Sequence, residues 1–122
     1  MSHVTPEKLR SLIAHCTGTD HWYQHGLCKG WLYTDGIKMV ADTAEAYWLI
    51  DVLVTQSVEM AKRYPDALLV WKLEVKNDSA VLYCDPADDV RLEVQRIEFT
   101  DFPEGEWKFY AQNNTVFLPS EY

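Results

Sequence analysis

The stretch LVWKLEVKNDSAVLYC, Leu69–Cys84, sets the fold class. Leu69, Trp71, Leu73 and Val75 fall on one side, and Lys72, Glu74 and Lys76 on the other. Alternation with a period of two is the signature of a strand with one buried face. Asn77-Asp78 marks a tight turn, and AVLYC returns. Just upstream the period changes. Tyr47, Ile50, Val54, Val58 and Ala61 step by three or four, and Ala46, Leu49, Leu53 and Met60 widen that face. So broad an apolar surface predicts a helix laid across a sheet. Asp42 with Glu45 three residues on resembles a capping box, and Pro65 stops the helix.

Further along, DPADD (Asp85–Asp89) predicts a turn. In VRLEVQRIEF, Val90, Leu92 and Val94 share one parity, while Ile97 and Phe99 share the other. A β-bulge near Gln95-Arg96 would return both sets to the core. EWKFY and TVFL close the chain around Asn113-Asn114. At the other end, Thr5 is the expected N-cap of a helix running to about His15, with Pro6 in its first turn and Leu9, Leu12 and Ile13 on its apolar face. WLYT and IKMVA flank Asp35-Gly36, which predicts a hairpin. The expected order is α-β-β-α-β-β-β-β-β, with the strands after the second helix antiparallel because their connections are short. The fold class is α+β: residues 1–122 as one domain, with an antiparallel sheet of about five to seven strands, a central helix packed on one face and an N-terminal helix.

With 48% hydrophobic residues the chain can bury a core without disulfide staples. Its net charge is −8, unevenly spread. Up to Val40, four basic and three acidic residues give +1; from Ala41 onward, seven basic and sixteen acidic residues give −9. This balance disfavours direct binding to nucleic-acid phosphates, which relies on Lys and Arg replacing counterions. A protein partner with a basic surface, including one that itself binds nucleic acid, or simple solubility fits it better. The N-terminus is polar, and no apolar run approaches the roughly 20 residues of a membrane span. Three cysteines and no signal-like segment predict a cytoplasmic protein with reduced thiols and no membrane association.

Three of four histidines and two of three cysteines lie in HCTGTDHWYQHGLC, His15–Cys28. His21, His25 and Cys28, with Cys16 or His15 as a fourth ligand, have a spacing zinc accepts. The pattern is unspecific: there is no Cys-x-x-Cys pair, and a domain with this much core does not need zinc to fold. No metal or other cofactor is therefore expected, and a zinc-stabilised loop is the weaker alternative. Cysteine nucleophiles need a bonded base, and no such motif occurs; Cys84 on a predicted strand reads as a buried apolar residue. No glycine-rich phosphate loop is present.

The phrases Gly18-Thr19, Trp22-Tyr23 and His25, LYTDG (Leu32–Gly36), AYWLID (Ala46–Asp51), VWKLEV (Val70–Val75), IEFTDFP (Ile97–Pro103) and LPSEY (Leu118–Tyr122) stand in an order and spacing that resembles a family of small bacterial proteins, a domain of unknown function also met in phages and plasmids. The resemblance covers nearly the whole chain. It implies that His25 and its neighbouring aromatics belong to the family pattern, whereas Cys16, His21 and Cys28 do not. It also implies a packed C-terminus.

Two functions follow as expectations. The first is a binding protein without catalysis, an accessory or inhibitor acting on a protein partner, in one version through an acidic surface that mimics nucleic acid. The second is a small-ligand or enzymatic pocket between the central helix and the His25 loop, with His25, Tyr33, Asp35 and Asp51 as polar groups among Trp22, Tyr23, Tyr47 and Trp48. An exposed strand edge would allow a homodimer.

Overall fold

The computed structural model describes residues 4–87 and 89–122. The elements are α1 (Pro6–Ala14), β1 (Trp22–Gln24), β2 (Leu32–Thr34), α2 (Asp35–Ala44), α3 (Tyr47–Arg63), β3 (Leu69–Lys76), β4 (Ser79–Ala87), β5 (Val90–Ile97), β6 (Gly105–Gln112), β7 (Thr115–Phe117) and a closing 3-10 turn, Pro119–Glu121. Among the described residues, seven strands form one sheet in the order β1-β2-β7-β6-β3-β4-β5. Every neighbouring pair is antiparallel except β2 with β7. The fold is α+β.

The alternation in β3 does what its pattern requires: Leu69, Trp71, Leu73 and Val75 are buried and their neighbours are not. Ala80, Leu82 and Cys84 of β4 and Trp107, Phe109 and Ala111 of β6 share that face. These side chains and the buried faces of the helices form a single core. Asn77-Asp78 and Asn113-Asn114 both have positive φ at both turn positions, the backbone of a two-residue hairpin.

Four local expectations are corrected. IKMVA is helical, not a strand. Thr34 caps α2 through its hydroxyl on the Ile37 amide (3.4 Å), and Ile37, Val40, Ala41 and Ala44 are buried at helical spacing. Gly36 serves close packing, not a turn: a Cβ there would lie 2.5 Å from Glu121 Oε1 and 2.7 Å from Leu118 Cδ1. Asp42 and Glu45 do not cap the central helix. Asp42 lies inside α2, Glu45 ends α2 with φ +53, and α3 starts at Tyr47 with no side-chain cap. The buried stripe of α3 runs through Leu49, Ile50, Leu53, Val54, Ser57 and Met60, and Tyr47 is exposed. Ser57 sits there because its hydroxyl accepts the Trp71 indole N–H at 2.9 Å.

The fourth correction concerns the strand ends. β4 runs through Asp85 and Pro86 to Ala87, so the expected DPADD turn is shorter; Asp88 of that stretch lies outside the described residues. The phase change in β5 is real. Leu82 pairs with Gln95 and Tyr83 with Glu93, which leaves Val94 as the extra residue, one position before the expected bulge. Phe99 is not in the core: β5 ends at Ile97, and Phe99 is 88% exposed.

Candidate functional site

The segment between α1 and β2 carries three of the four histidines, His15, His21 and His25. It is tied down by backbone bonds from His25 to the Trp31 carbonyl (2.9 Å) and from Trp31 to the Cys28 carbonyl (3.1 Å). This loop buries the His25 ring, which is 4% exposed. The amides of Leu27 and Cys28 both donate to its Nδ1 at 3.2 Å. A nitrogen facing two N–H donors is the bare one, so the hydrogen sits on Nε2 and is donated to Asp51 Oδ1 at 2.8 Å. Asp51, on the first turns of α3, is 65% exposed, and its Oδ2 has no hydrogen-bond partner among the described residues.

This pair reverses the arrangement of a catalytic His–carboxylate couple. There, a buried carboxylate orients the ring and leaves the other nitrogen facing substrate. Here the ring is buried, its second nitrogen is occupied by the loop, and the carboxylate is presented. His25, Tyr33, Tyr47 and Asp51 line one shallow cleft of about 300 Å³ together with Leu27 and Ile50. Leu27 is 83% exposed at its rim.

Asp35 stands apart from that cleft as a structural node. Its Oδ2 accepts the amides of Asp20 (3.1 Å) and His21 (3.2 Å), and its Oδ1 accepts the Tyr23 hydroxyl (3.0 Å). Partial desolvation pushes its carboxyl up, but the Tyr23 hydroxyl and the two amides outweigh this and hold it below the ordinary range. The Asp35 bond raises the Tyr23 phenol in turn. Tyr23 stacks on Tyr33 at 5.5 Å, which joins the node to the cleft. Trp22 lies elsewhere, in a depression with Phe117 and Tyr122. Trp48 packs edge-on against Phe102 at 6.4 Å. Of the eight candidate residues, four meet in the cleft, Tyr23 and Asp35 brace it, and Trp22 and Trp48 take no part.

The metal-type side chains are dispersed. His15 donates from Nδ1 to the Ser11 carbonyl (2.7 Å), Cys16 donates to the Leu12 carbonyl (3.4 Å), and His21 lies 3.6 Å from Asp35. Among the described residues no three His, Cys, Asp or Glu are grouped to hold an ion. Burial, with Glu121 and Asp35 nearby, raises the Cys16 thiol. Burial and the Asp85 charge push Cys84 up to about 12, so neither thiol is activated.

Glu121 is a structural support of this region that spacing alone does not disclose. Its Oε1 accepts the Thr34 hydroxyl (2.7 Å) and the Leu118 amide (3.0 Å), and its Oε2 accepts the Gly36 amide (3.2 Å). The C-terminus thus pins the start of α2. The only hint was the joint occurrence of LYTDG and LPSEY.

No curated protein and no solved structure matches the chain. A family model does, over residues 7–122, and so takes in the loop, the cleft and the C-terminal pin alike: the chain belongs to the family of unknown function DUF6876.

Proposed function

We propose that this is a non-catalytic cytoplasmic binding protein, an accessory or inhibitor, that seats a lysine or arginine side chain of a basic protein partner in the Asp51 cleft. The observation that carries this reading is the His25–Asp51 bond. A buried N–H holds an exposed carboxylate in one orientation, so little side-chain entropy is lost when a cation arrives. Exposed Leu27 and the Tyr47 and Tyr33 rings suit the aliphatic stem and cationic head of such a side chain. The reading needs no continuous row of carboxylates. On the sheet face away from the helices, charges are mixed: Lys72 and Arg91 both pair with Asp85, and Arg96 pairs with Glu93. This weighs against mimicry of a phosphate backbone. An enzymatic pocket is less well supported, because both ring nitrogens of His25 are already used.

The test is an amide-resolved NMR titration with N-acetyl-arginine amide and N-acetyl-lysine amide. Saturable millimolar shifts are expected at Leu27, Tyr47 and Asp51, weakening as salt rises and lost in Asp51→Asn. Shifts spread evenly over the acidic residues, and unchanged in Asp51→Asn, would refute the reading.

A further inference from the structure

A cleft of about 450 Å³ lies between α1, the Pro119–Glu121 turn and β6. β6 is an interior strand of the sheet, yet half of one edge is open. Of β6, Tyr110–Gln112 pair with β7, and then Pro119 turns the chain away. Which backbone groups face that opening follows from two independent registers. Gln112 and Thr115 flank a two-residue turn, so their N–H and C=O groups face each other, and so do every second residue's: Tyr110, Lys108 and Glu106. From the other side, Lys76 and Ser79 flank a two-residue turn, which points Val75, Leu73 and Trp71 at β6 and pairs them with Gly105, Trp107 and Phe109. Both place the N–H and C=O of Glu106 and Lys108 at the open edge. Among the described residues, no loop or helix backbone bonds to them.

Beside this edge sits Arg10. Its guanidinium lies 4.4 Å from the centroid of the buried Trp107 ring. Gly105, at φ +133, leaves the space it occupies, because a Cβ there would fall on Arg10 Nη2. No carboxylate forms an ion pair with Arg10 among the described residues. Strand alternation carries the Glu106 side chain to the opposite face of the sheet from Trp107 and Arg10. Among the described residues, a positioned guanidinium with no ion-paired carboxylate stands over a stretch of β6 edge that β7 does not cover, in a protein of net charge −8.

We infer that this edge accepts an extended segment of a partner protein as an added strand, antiparallel to β6 and continuing the line of β7, with an Asp or Glu opposite Trp107 paired to Arg10. Main-chain bonds to Glu106 and Lys108 supply affinity, and the acidic side chain sets register. A residue opposite Trp107 shares its face of the sheet, which is the face that carries Arg10. This site is independent of the Asp51 cleft and of the cation it is proposed to hold.

The experiment uses the full chain and a set of acetylated, amidated pentapeptides with central Glu, flanked by Val, Ile, Thr and Tyr, followed by amide NMR. Saturable shifts are expected at the Glu106 and Lys108 amides and the Trp107 indole. Central Gln should weaken binding about fivefold, the scale of an exposed ion pair. Arg10→Met, which keeps a stem over Trp107, should erase that difference while leaving residual strand binding. The inference is overturned if no peptide in the set saturates, or if the β5 edge responds equally. It is also overturned if acetate alone reproduces the shifts, which marks a simple carboxylate site. Protection of both amides that grows with protein concentration would overturn it in favour of a second copy of the chain.

Discussion

Two clefts of this molecule are built alike but with opposite sign. In one, the buried His25 ring holds the exposed Asp51 carboxylate; in the other, the buried Trp107 ring holds the Arg10 guanidinium. In both, a rigid ring turns a mobile surface charge into a positioned one. Asp35 and Glu121 show the contrasting use of a carboxylate, with both oxygens of each occupied by amides and hydroxyls of the fold. The difference separates acids whose oxygens hold the chain together from an acid bonded through one oxygen and largely exposed.

The hardest test of this contrast is His25→Ala. It removes the loop's acceptor, leaves the Leu27 and Cys28 amides without their partner, and frees Asp51. A loss of about 3 kcal/mol is expected in urea unfolding, from unsatisfied amides and a vacated buried site. A loss under about 1 kcal/mol would mean that the ring pins nothing. Gly36→Ala comes next. Near the start of an unobstructed helix this change would stabilise by up to about 1 kcal/mol. Contact with Glu121 and Leu118 reverses the sign, to an expected loss of about 1–3 kcal/mol by the same measurement.

Asp35→Asn against Asp51→Asn separates structural from presented acid directly. In Asp51→Asn the side-chain amide still offers an oxygen to His25, so stability should stay within about 0.5 kcal/mol. Asp35→Asn should lower the urea midpoint at pH 7, and the gap to the native chain should narrow in acid. The sign follows from linkage. The Asp35 carboxyl is depressed in the folded chain, so its contribution is present above its unfolded value and is lost as pH falls through the folded one. Equal midpoint gaps at pH 7 and pH 3 would contradict this. The smallest effect is chemical: at pH 8 Cys84, with its thiol pushed up to about 12, should resist a disulfide reagent until the chain is unfolded.

Much of the fold was legible because period and burial agree. The β3–β4 hairpin, the bulge in β5 and the Thr5 cap of α1 all follow from local pattern. The segment Asp35–Ala44 misled because Asp-Gly between apolar runs is a strong hairpin signal, and Ile37, Met39 and Ala41 also satisfy a period of two. What decides for helix is distant in sequence: Glu121, 85 residues from Gly36, fills the space over it and bonds its amide. At the site, Asp51 and His25 were visible as candidates, but not as a bonded pair, since their 26-residue separation is closed only by the folded loop. Arg10 is not legible in the sequence, because a lone arginine on a helix gives no sign of the indole beneath it.

The decisive experiment is a single set of NMR titrations in which the native chain, Asp51→Asn and Arg10→Met each meet N-acetyl-arginine amide and the central-Glu pentapeptides. A double dissociation is expected. Asp51→Asn should lose the arginine response at Leu27, Tyr47 and Asp51 yet keep the peptide response at Glu106 and Lys108. Arg10→Met should do the reverse, retaining the arginine response and losing the preference for Glu over Gln. If each variant weakened both probes alike, or neither, the two clefts would not be distinct sites sorted by the sign of a positioned charge.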